Sequence, residues 1–387
     1  MPPVETFANI KVVGVGGSGG SAVNRMVASR IRGVEFIAVN TDAQALHHSV
    51  APKKIHIGRN TTKGLGAGMD PDLGLKSAEE NEADIIEVLK GADMVFITCG
   101  LGGGTGSGAA PVIADIAREA GALTVAVVTK PFTFEGVQRK NIASRGLENL
   151  IDKVDTIITI PNDRLLQIID KKTSLLDAFS IVDEVLKQGV QGISEVITVP
   201  GLVNVDFADV KAIMRQAGSA LMGIGRASGE NRAQEAARAA IDSPLLELSI
   251  NGATGVLFTV TGSSTTLTMH EVSEAAEIIT ASCDAEAKVI FGANIDDSLG
   301  DELKITVIAT GFRGAEDLSR QETAPLRATM SYPETFAKKA EEMTIKKAFK
   351  KNTRENEAEK ETIEVPKTKE EEELEIPAFL RKKLHNR

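Results

Sequence analysis

The chain has no tryptophan and only two cysteines, Cys99 and Cys283, with no CxxC pair. That excludes a disulfide-stapled scaffold and a zinc ribbon, and it points to a reducing, cytoplasmic setting. No apolar run approaches the ~18 residues that mark a membrane-spanning helix. Residues 1–7 lack the basic stretch and apolar core of a signal peptide. GxxxxGK[ST] is missing, as are the HRD and DFG signatures, so P-loop and protein-kinase chemistry are out. Basic charge is short too. Lys and Arg total 44 against 54 Asp and Glu, and the net charge of −10 argues against nucleic acid as a partner.

What is present is ordinary for a globular protein: 387 residues, 42% apolar and 25% charged, a length that suggests two or three domains. A body of about 300 residues buries roughly three quarters of its unfolded surface and needs no staples. Glycine is abundant, at 35 residues, and it is clustered.

Short, β-branched apolar runs at 10–15, 34–39, 94–98, 123–128 and 156–160 read as buried parallel strands. Helical patterns at 22–31, 76–89, 109–120 and 137–151 lie between them. This alternation predicts a doubly wound, mostly parallel α/β domain over 1–173. From 174 to 199 the apolar residues keep a helical period on more than one face, which predicts a long central helix (174–200) buried between two bodies. Helices expected at 207–216, 231–241 and 269–281, with strands at 255–260, 288–292 and 305–310, predict a second, smaller α+β domain over 201–313. Residues 314–374 are dense in both charges and read as a disordered linker. The end, 375–387, is an apolar anchor with a basic finish, Ile376-Pro377-Ala378-Phe379-Leu380 then Arg381-Lys382-Lys383.

Two glycine clusters carry the chemistry. Gly14-Val15-Gly16-Gly17-Ser18-Gly19-Gly20-Ser21 follows one expected strand and precedes a helix. Gly100-Leu101-Gly102-Gly103-Gly104-Thr105-Gly106-Ser107-Gly108 repeats that placement. Glycine lets the backbone approach a phosphate, and a helix N-terminus offers free N–H groups and positive dipole. Two such loops at the carboxyl ends of strands in one sheet face one crevice and can wrap a di- or triphosphate. Gly14, Gly16 and Gly19 also match GxGxxG, and Asp42 in Asn40-Thr41-Asp42 stands where a dinucleotide enzyme binds ribose. A Rossmann-type NAD(P)-dependent oxidoreductase is therefore the alternative. The second cluster, and the lack of a marked hydride-site His or Tyr, argue against it. Gly16-Gly17-Ser18-Gly19-Gly20 matches a hydrolase GxSxG too, but no marked acid and His follow.

Gly64-Leu65-Gly66-Ala67-Gly68 reads as a loop able to close over a terminal phosphate. Glu135 and Arg139, four apart at a helix start, share a face. Asn204-Val205-Asp206-Phe207-Ala208-Asp209 reads at minimum as an N-cap with first-turn acid.

Gly102-Gly103-Gly104-Thr105-Gly106-Ser107-Gly108, Asn40-Thr41-Asp42-Ala43-Gln44-Ala45-Leu46, Thr129-Lys130-Pro131-Phe132, Ile160-Pro161-Asn162-Asp163 and Asn204-Val205-Asp206-Phe207-Ala208-Asp209 stand together in one order. In them, over residues 9–313 and again at the C-terminal peptide, the chain resembles the bacterial tubulin-like cell-division GTPases. The resemblance implies a GTP/GDP site that includes Gly16, Asp42, Gly102 and Gly103, with Gly17, Ser18, Gly19, Gly20, Ser21, Gly104, Thr105 and Gly106 around the phosphates. Ala67 and Gly68 would approach the γ-phosphate. Thr129 and Pro131 belong to the same site, Glu135 would hold the ribose, and Arg139 and Asn162 would line the nucleoside. Phe179 and Asp183 would meet guanine, whose paired N–H donors suit a carboxylate. Ser21 departs from the family's usual Asn and has shorter reach.

The resemblance also implies that Asn204, Asp206 and Asp209 complete the site of a neighbouring copy in a head-to-tail homopolymer of the cell-division ring. Mg2+ is expected on the phosphates, with no protein ligand assigned. Ile376, Pro377, Phe379, Leu380 and Arg381 would bind membrane-linked division adaptors at the end of a linker spanning roughly 40–50 Å. No direct membrane span and no nucleic-acid partner are implied.

Overall fold

The computed structural model describes residues 8–166, 173–198, 201–203, 205–243 and 250–312, all within the compact unit Met1–Leu318. The tail readings, including the partner-binding peptide, fall outside the described residues, and so does Asn204.

The first half runs β1 (Ile10–Val15), α1 (Gly16–Ala28), β2 (Val34–Asn40), α2 (Ala43–His48), β3 (Lys53–His56), α3 (Pro71–Glu80), α4 (Glu82–Leu89), β4 (Met94–Gly100), α5 (Gly104–Glu119), β5 (Leu123–Lys130), α6 (Val137–Ile151), β6 (Thr156–Pro161) and α7 (Asn162–Leu165). The helix α8 (Leu175–Thr198) follows. The second half runs α9 (Phe207–Met214), β7 (Gly218–Ser228), α10 (Arg232–Ile241), β8 (Gly255–Gly262), α11 (Met269–Ala281), β9 (Lys288–Ile295) and β10 (Glu302–Thr310).

The strands form one sheet in the order β3-β2-β1-β4-β5-β6-β7-β10-β8-β9. β1 to β6 are parallel, and apart from the edge strand β3 they have the buried, β-branched sequences of a parallel sheet. Parallel pairing of Thr156, Ile157 and Ile158 with Gly218, Ser219 and Ala220 carries the sheet across into the second half, where β10 runs antiparallel to β7 and β8. The two regions expected from sequence thus share a sheet.

The sequence also missed two strands. β3 is an edge strand with one buried residue, Ile55, and β7 is glycine-rich. The expected helix over 76–89 is broken at Asn81, which closes α3 and opens α4.

Helix α8 carries Val182, Val185, Leu186, Val190, Ile193 and Val196 into the core. Its Gly189 lies close to Val127 of β5 and Met222 of β7, and Gly192 lies against Thr306 of β10. One helix therefore packs on both halves. The apolar core on its side of the sheet is continuous from Ile10 to Ile308. None of the described helices is long and apolar enough to cross a membrane.

Candidate nucleotide site

The sheet order β3-β2-β1-β4-β5-β6 reverses direction between β1 and β4, and crevices form outside the carboxyl ends of strands at such a switch point. Both glycine clusters lie there, and each is the first turn of a helix. Helices α1 and α5 begin at Gly16 and Gly104, earlier than the sequence pattern suggested, and neither has a side-chain N-cap. The opening N–H groups of a helix have no intrahelical partner. The two termini touch, since a Cβ on Gly16 would sit 3.1 Å from the Gly106 nitrogen. Gly16 holds φ +72° and Gly102 φ +98°, the left-handed turns that admit glycine. Two positive dipole ends thus converge on one crevice, an arrangement suited to a phosphate chain.

The crevice is a groove of about 450 Å³. From α1 it is lined by Gly16, Gly17, Ser18 and Ser21, and from α5 and the turn before it by Gly103, Gly104, Thr105 and Gly106. Asp42, Ala67, Gly68, Thr129, Pro131, Glu135, Arg139, Asn162, Phe179 and Asp183 also line it. Three glycines from the expected set do not. Gly19 is packed against Gly14 and the Thr98 carbonyl. Gly20 faces a neighbouring cavity of about 340 Å³ that shares Gly16, Gly17, Ser21, Asn40 and Ala45 with the groove. Gly102 makes the turn, and its N–H donates to Ser107 Oγ at 2.9 Å. Asn40, Ala45, Leu101 and Val182 line the groove without having been singled out. Of these, Asn40 and Ala45 carried a signal as members of the Asn40–Leu46 motif, Leu101 as a member of the second glycine cluster, and Val182 only as part of the apolar helical period.

The side chains are held from behind. The Thr41 and Thr105 hydroxyls share a buried hydrogen bond at 2.8 Å, joining the end of β2 to the start of α5. The Gly104 N–H donates to the Gly68 carbonyl at 2.9 Å, which seats the 64–68 loop on α5. Asp42 accepts from Gln44 N at 2.8 Å and Ala45 N at 3.0 Å, so its carboxylate is committed to capping α2. That weakens its reading as a free ribose acid in a dinucleotide enzyme. Glu135 instead presents the groove's second acid. It accepts from Phe132 N at 2.9 Å and is paired with Arg139. Buried Phe132 packs edge-on to Phe179 at 5.8 Å. The Asn162 amide oxygen is buried without a partner, an open acceptor on the wall. At Asp183, burial raises the carboxyl to about 6 while the nearby Arg25 guanidinium opposes the shift.

Asp206 and Asp209 line no part of the groove. Asp206 caps α9 by accepting from Ala208 N at 3.1 Å, and Asp209 stands in the first turn, both exposed. The far end of α9 is fastened to the amino edge of β6. Thr156 Oγ1 donates to the Met214 carbonyl, and Gln216 N donates to Asp155 Oδ1 at 3.3 Å. That edge is opposite the groove, which sits beyond the carboxyl ends of the same strands.

Comparison with known proteins fits this geometry. The tubulin/FtsZ family GTPase domain matches residues 9–170, and the FtsZ family C-terminal domain matches 218–313. An empty FtsZ dimer from M. jannaschii is 46% identical, covers 80% of this chain and 89% of its own, and superposes with a TM-score of 0.77. Two structures from Haloferax volcanii share the fold at lower identity. They are CetZ1, a GDP-bound monomer (23% identical, 81% of this chain and 98% of that one, TM-score 0.70), and CetZ2, a GTPγS-bound protofilament (21%, 81% and 97%, TM-score 0.66). M. jannaschii is an archaeon, so a resemblance to bacterial cell-division GTPases does not fix a bacterial origin for the chain. The paired helix termini, the groove and these matches together place the chain in the tubulin/FtsZ family of GTPases.

Proposed function

We propose that this GTPase binds GTP in the groove and hydrolyses it where successive copies of the chain meet head to tail in a filament of the cell-division ring. The observation that carries the reading is a separation of parts. The phosphate-facing N–H groups line the groove, whereas Asp206 and Asp209 are exposed on a helix anchored to the opposite edge of the sheet. A groove with donors but no group placed to orient water is completed by an acid-bearing loop from another copy.

In this reading the free N–H groups at the starts of α1 and α5 hold the phosphates, with Ala67 and Gly68 at the γ-phosphate. Glu135 holds the ribose, Arg139 and Asn162 line the nucleoside, and Phe179 and Asp183 meet the base. Asn204, Asp206 and Asp209 of the next copy position the water whose oxygen attacks the γ-phosphorus as the bond to GDP breaks. Such hydrolysis needs orientation and charge stabilisation more than covalent chemistry. Among the described residues no three acidic or imidazole side chains converge on a metal. Mg2+ would therefore ride on the phosphates and water, as it commonly does.

Two apolar rims support self-association. Leu65, Phe134 and Val137 are exposed beside the groove, and Leu202 and Val203 are exposed just before the acidic helix. The solved FtsZ relative is itself a dimer. Residues 376–381 would bind a membrane-linked adaptor, keeping the filament at the division site in the cytoplasm. The test is turnover per subunit, with light scattering, across a range of protein concentrations. The reading expects a steep rise with assembly, and constant turnover from far below to far above assembly refutes it.

A further inference from the structure

Arg25 stands on α1 one turn beyond Ser21, and Asp183 stands on α8 one turn beyond Phe179. Ser21, Phe179 and Asp183 line the groove, and Arg25 does not. The Arg25 Nε lies 3.9 Å from Asp183 Oδ2, and it is buried without a hydrogen-bond partner. That separation is an ion-pair contact and too long for a hydrogen bond. An orphan buried donor is uncommon and asks for an explanation.

Among the described residues, most other charges on the neighbouring elements have partners of their own. Across the groove, Glu135 is paired with Arg139. On α8 itself, Glu184 is paired with Lys187 at 2.6 Å. On α7, Asp163 accepts from Thr133 N at 2.9 Å, and Arg164 is the remaining charge there. Among the described residues, Arg25 is the charge that opposes the effect of burial on the Asp183 carboxyl.

We propose that Arg25 is a positioning residue for base selection. Its guanidinium keeps Asp183 an anion at the base end of the groove, so that a purine edge with two adjacent N–H donors is accepted and one with an acceptor beside a donor is refused. The inference rests on the reading of Asp183 as the base contact. The chemistry is direct. A carboxylate only accepts, and it matches the N1–H and 2-amino group of guanine. A protonated carboxyl offers one O–H donor and one acceptor, and so matches adenine's N1 and 6-amino group. Losing the anion therefore weakens the selection itself and not merely the affinity. Without Arg25, burial alone acts on Asp183, and the neutral form spreads toward physiological pH.

The experiment measures GTP and ATP affinity by equilibrium dialysis, on the full chain below its assembly concentration, between about pH 5 and pH 9. In the unaltered protein the preference for GTP should fade on the acid side, with a midpoint near 6. An opposite charge at this range lowers a carboxyl pKa by about one to three units. Arg25→Met should therefore move the midpoint up by about one unit or more, costing roughly two- to tenfold of the preference at neutral pH and restoring it in alkali. Arg25→Lys should keep the original midpoint. Arg25→Gln replaces the Met variant if circular dichroism shows the latter unfolded. A merely structural arginine would weaken both nucleotides alike at every pH, and that result, or an unmoved midpoint, overturns the proposal. Asp183→Asn separates the two layers. If it keeps a pH-dependent GTP preference, the base reading itself fails. If it abolishes the preference while the Arg25→Met midpoint stays put, only the role of Arg25 fails.

Discussion

Replacing Gly104 with alanine puts a methyl group where three carbonyl oxygens already converge. Its Cβ would lie 2.7 Å from the Ala67 and Asp70 oxygens and 2.8 Å from that of Gly68. Gly104 does not hold a positive φ, so the obstruction is contact and not local dihedrals. All three carbonyls belong to the stretch that lines the groove through Ala67 and Gly68, and that stretch must retreat to admit the methyl. Overpacking of this kind costs about 1–3 kcal/mol. The Gly104 N–H to Gly68 carbonyl bond is strained with it, worth about 1 kcal/mol more. If the cost falls on the nucleotide-competent position of the loop, GTP affinity drops by roughly ten- to a thousandfold.

Gly20 is the control. It belongs to the other glycine cluster, faces the neighbouring cavity, and has nothing within 4 Å of an added Cβ. Inside α1, Gly20→Ala should stabilise the fold by about 0.5–1 kcal/mol and leave GTP affinity in place. Equilibrium dialysis with GTP, alongside urea unfolding, reads both variants. Wild-type affinity in a folded Gly104→Ala protein, or a large loss in Gly20→Ala, refutes the reasoning.

Asp209→Ala should keep GTP binding and assembly yet lose on the order of 10²-fold in hydrolysis. Mixing it with subunits that cannot bind GTP but retain the acidic helix should recover activity in confirmed co-assemblies, and no recovery removes the role in trans. Arg232→Met should cost about 3 kcal/mol in urea unfolding. The buried guanidinium of Arg232 binds Glu271 at 2.6 Å and the Thr266 and Asp301 carbonyls at 2.7 Å, and a loss below 1 kcal/mol would show the clamp to be dispensable. Asp183→Asn should raise the melting temperature of the nucleotide-free protein. A carboxyl whose folded value is raised to about 6 subtracts stability, nothing below the unfolded value and fully above the folded one. The gain should thus be present at pH 7 and vanish near pH 4, and a gain that persists in acid has another source.

Where sequence pattern and packing coincide, the fold was legible. The five parallel strands and the helix over 137–151 follow from β-branched runs and a regular apolar period. β7 was hidden because its strand character is supplied by the neighbour. Gly225 lies flat beneath the backbone of α10 near Ala236, and a side chain there would push the helix off. In the candidate site, the glycine clusters announced a phosphate-sized approach, but they did not announce which glycines face the groove. Gly19 and Gly14 look like ligand contacts and instead let α1 press on the sheet. Arg25 was invisible for a different reason. A single arginine in an amphipathic helix is ordinary until α8 brings Asp183 beside it, and nothing local in the chain encodes that meeting.

β6 touches both ends of the problem. At its carboxyl end it delivers Asn162 to the groove, and at its amino end Thr156 and Asp155 fasten the helix that bears Asp206 and Asp209. Six residues of strand, about 20 Å, are the only chain between those two attachments. Loops can lengthen or shorten with little penalty, but a strand paired on both sides cannot change by one residue without turning every side chain to the wrong face. The strand therefore acts as a fixed gauge. The distance from nucleotide wall to acidic helix is set by a length that neither half of the molecule can adjust alone.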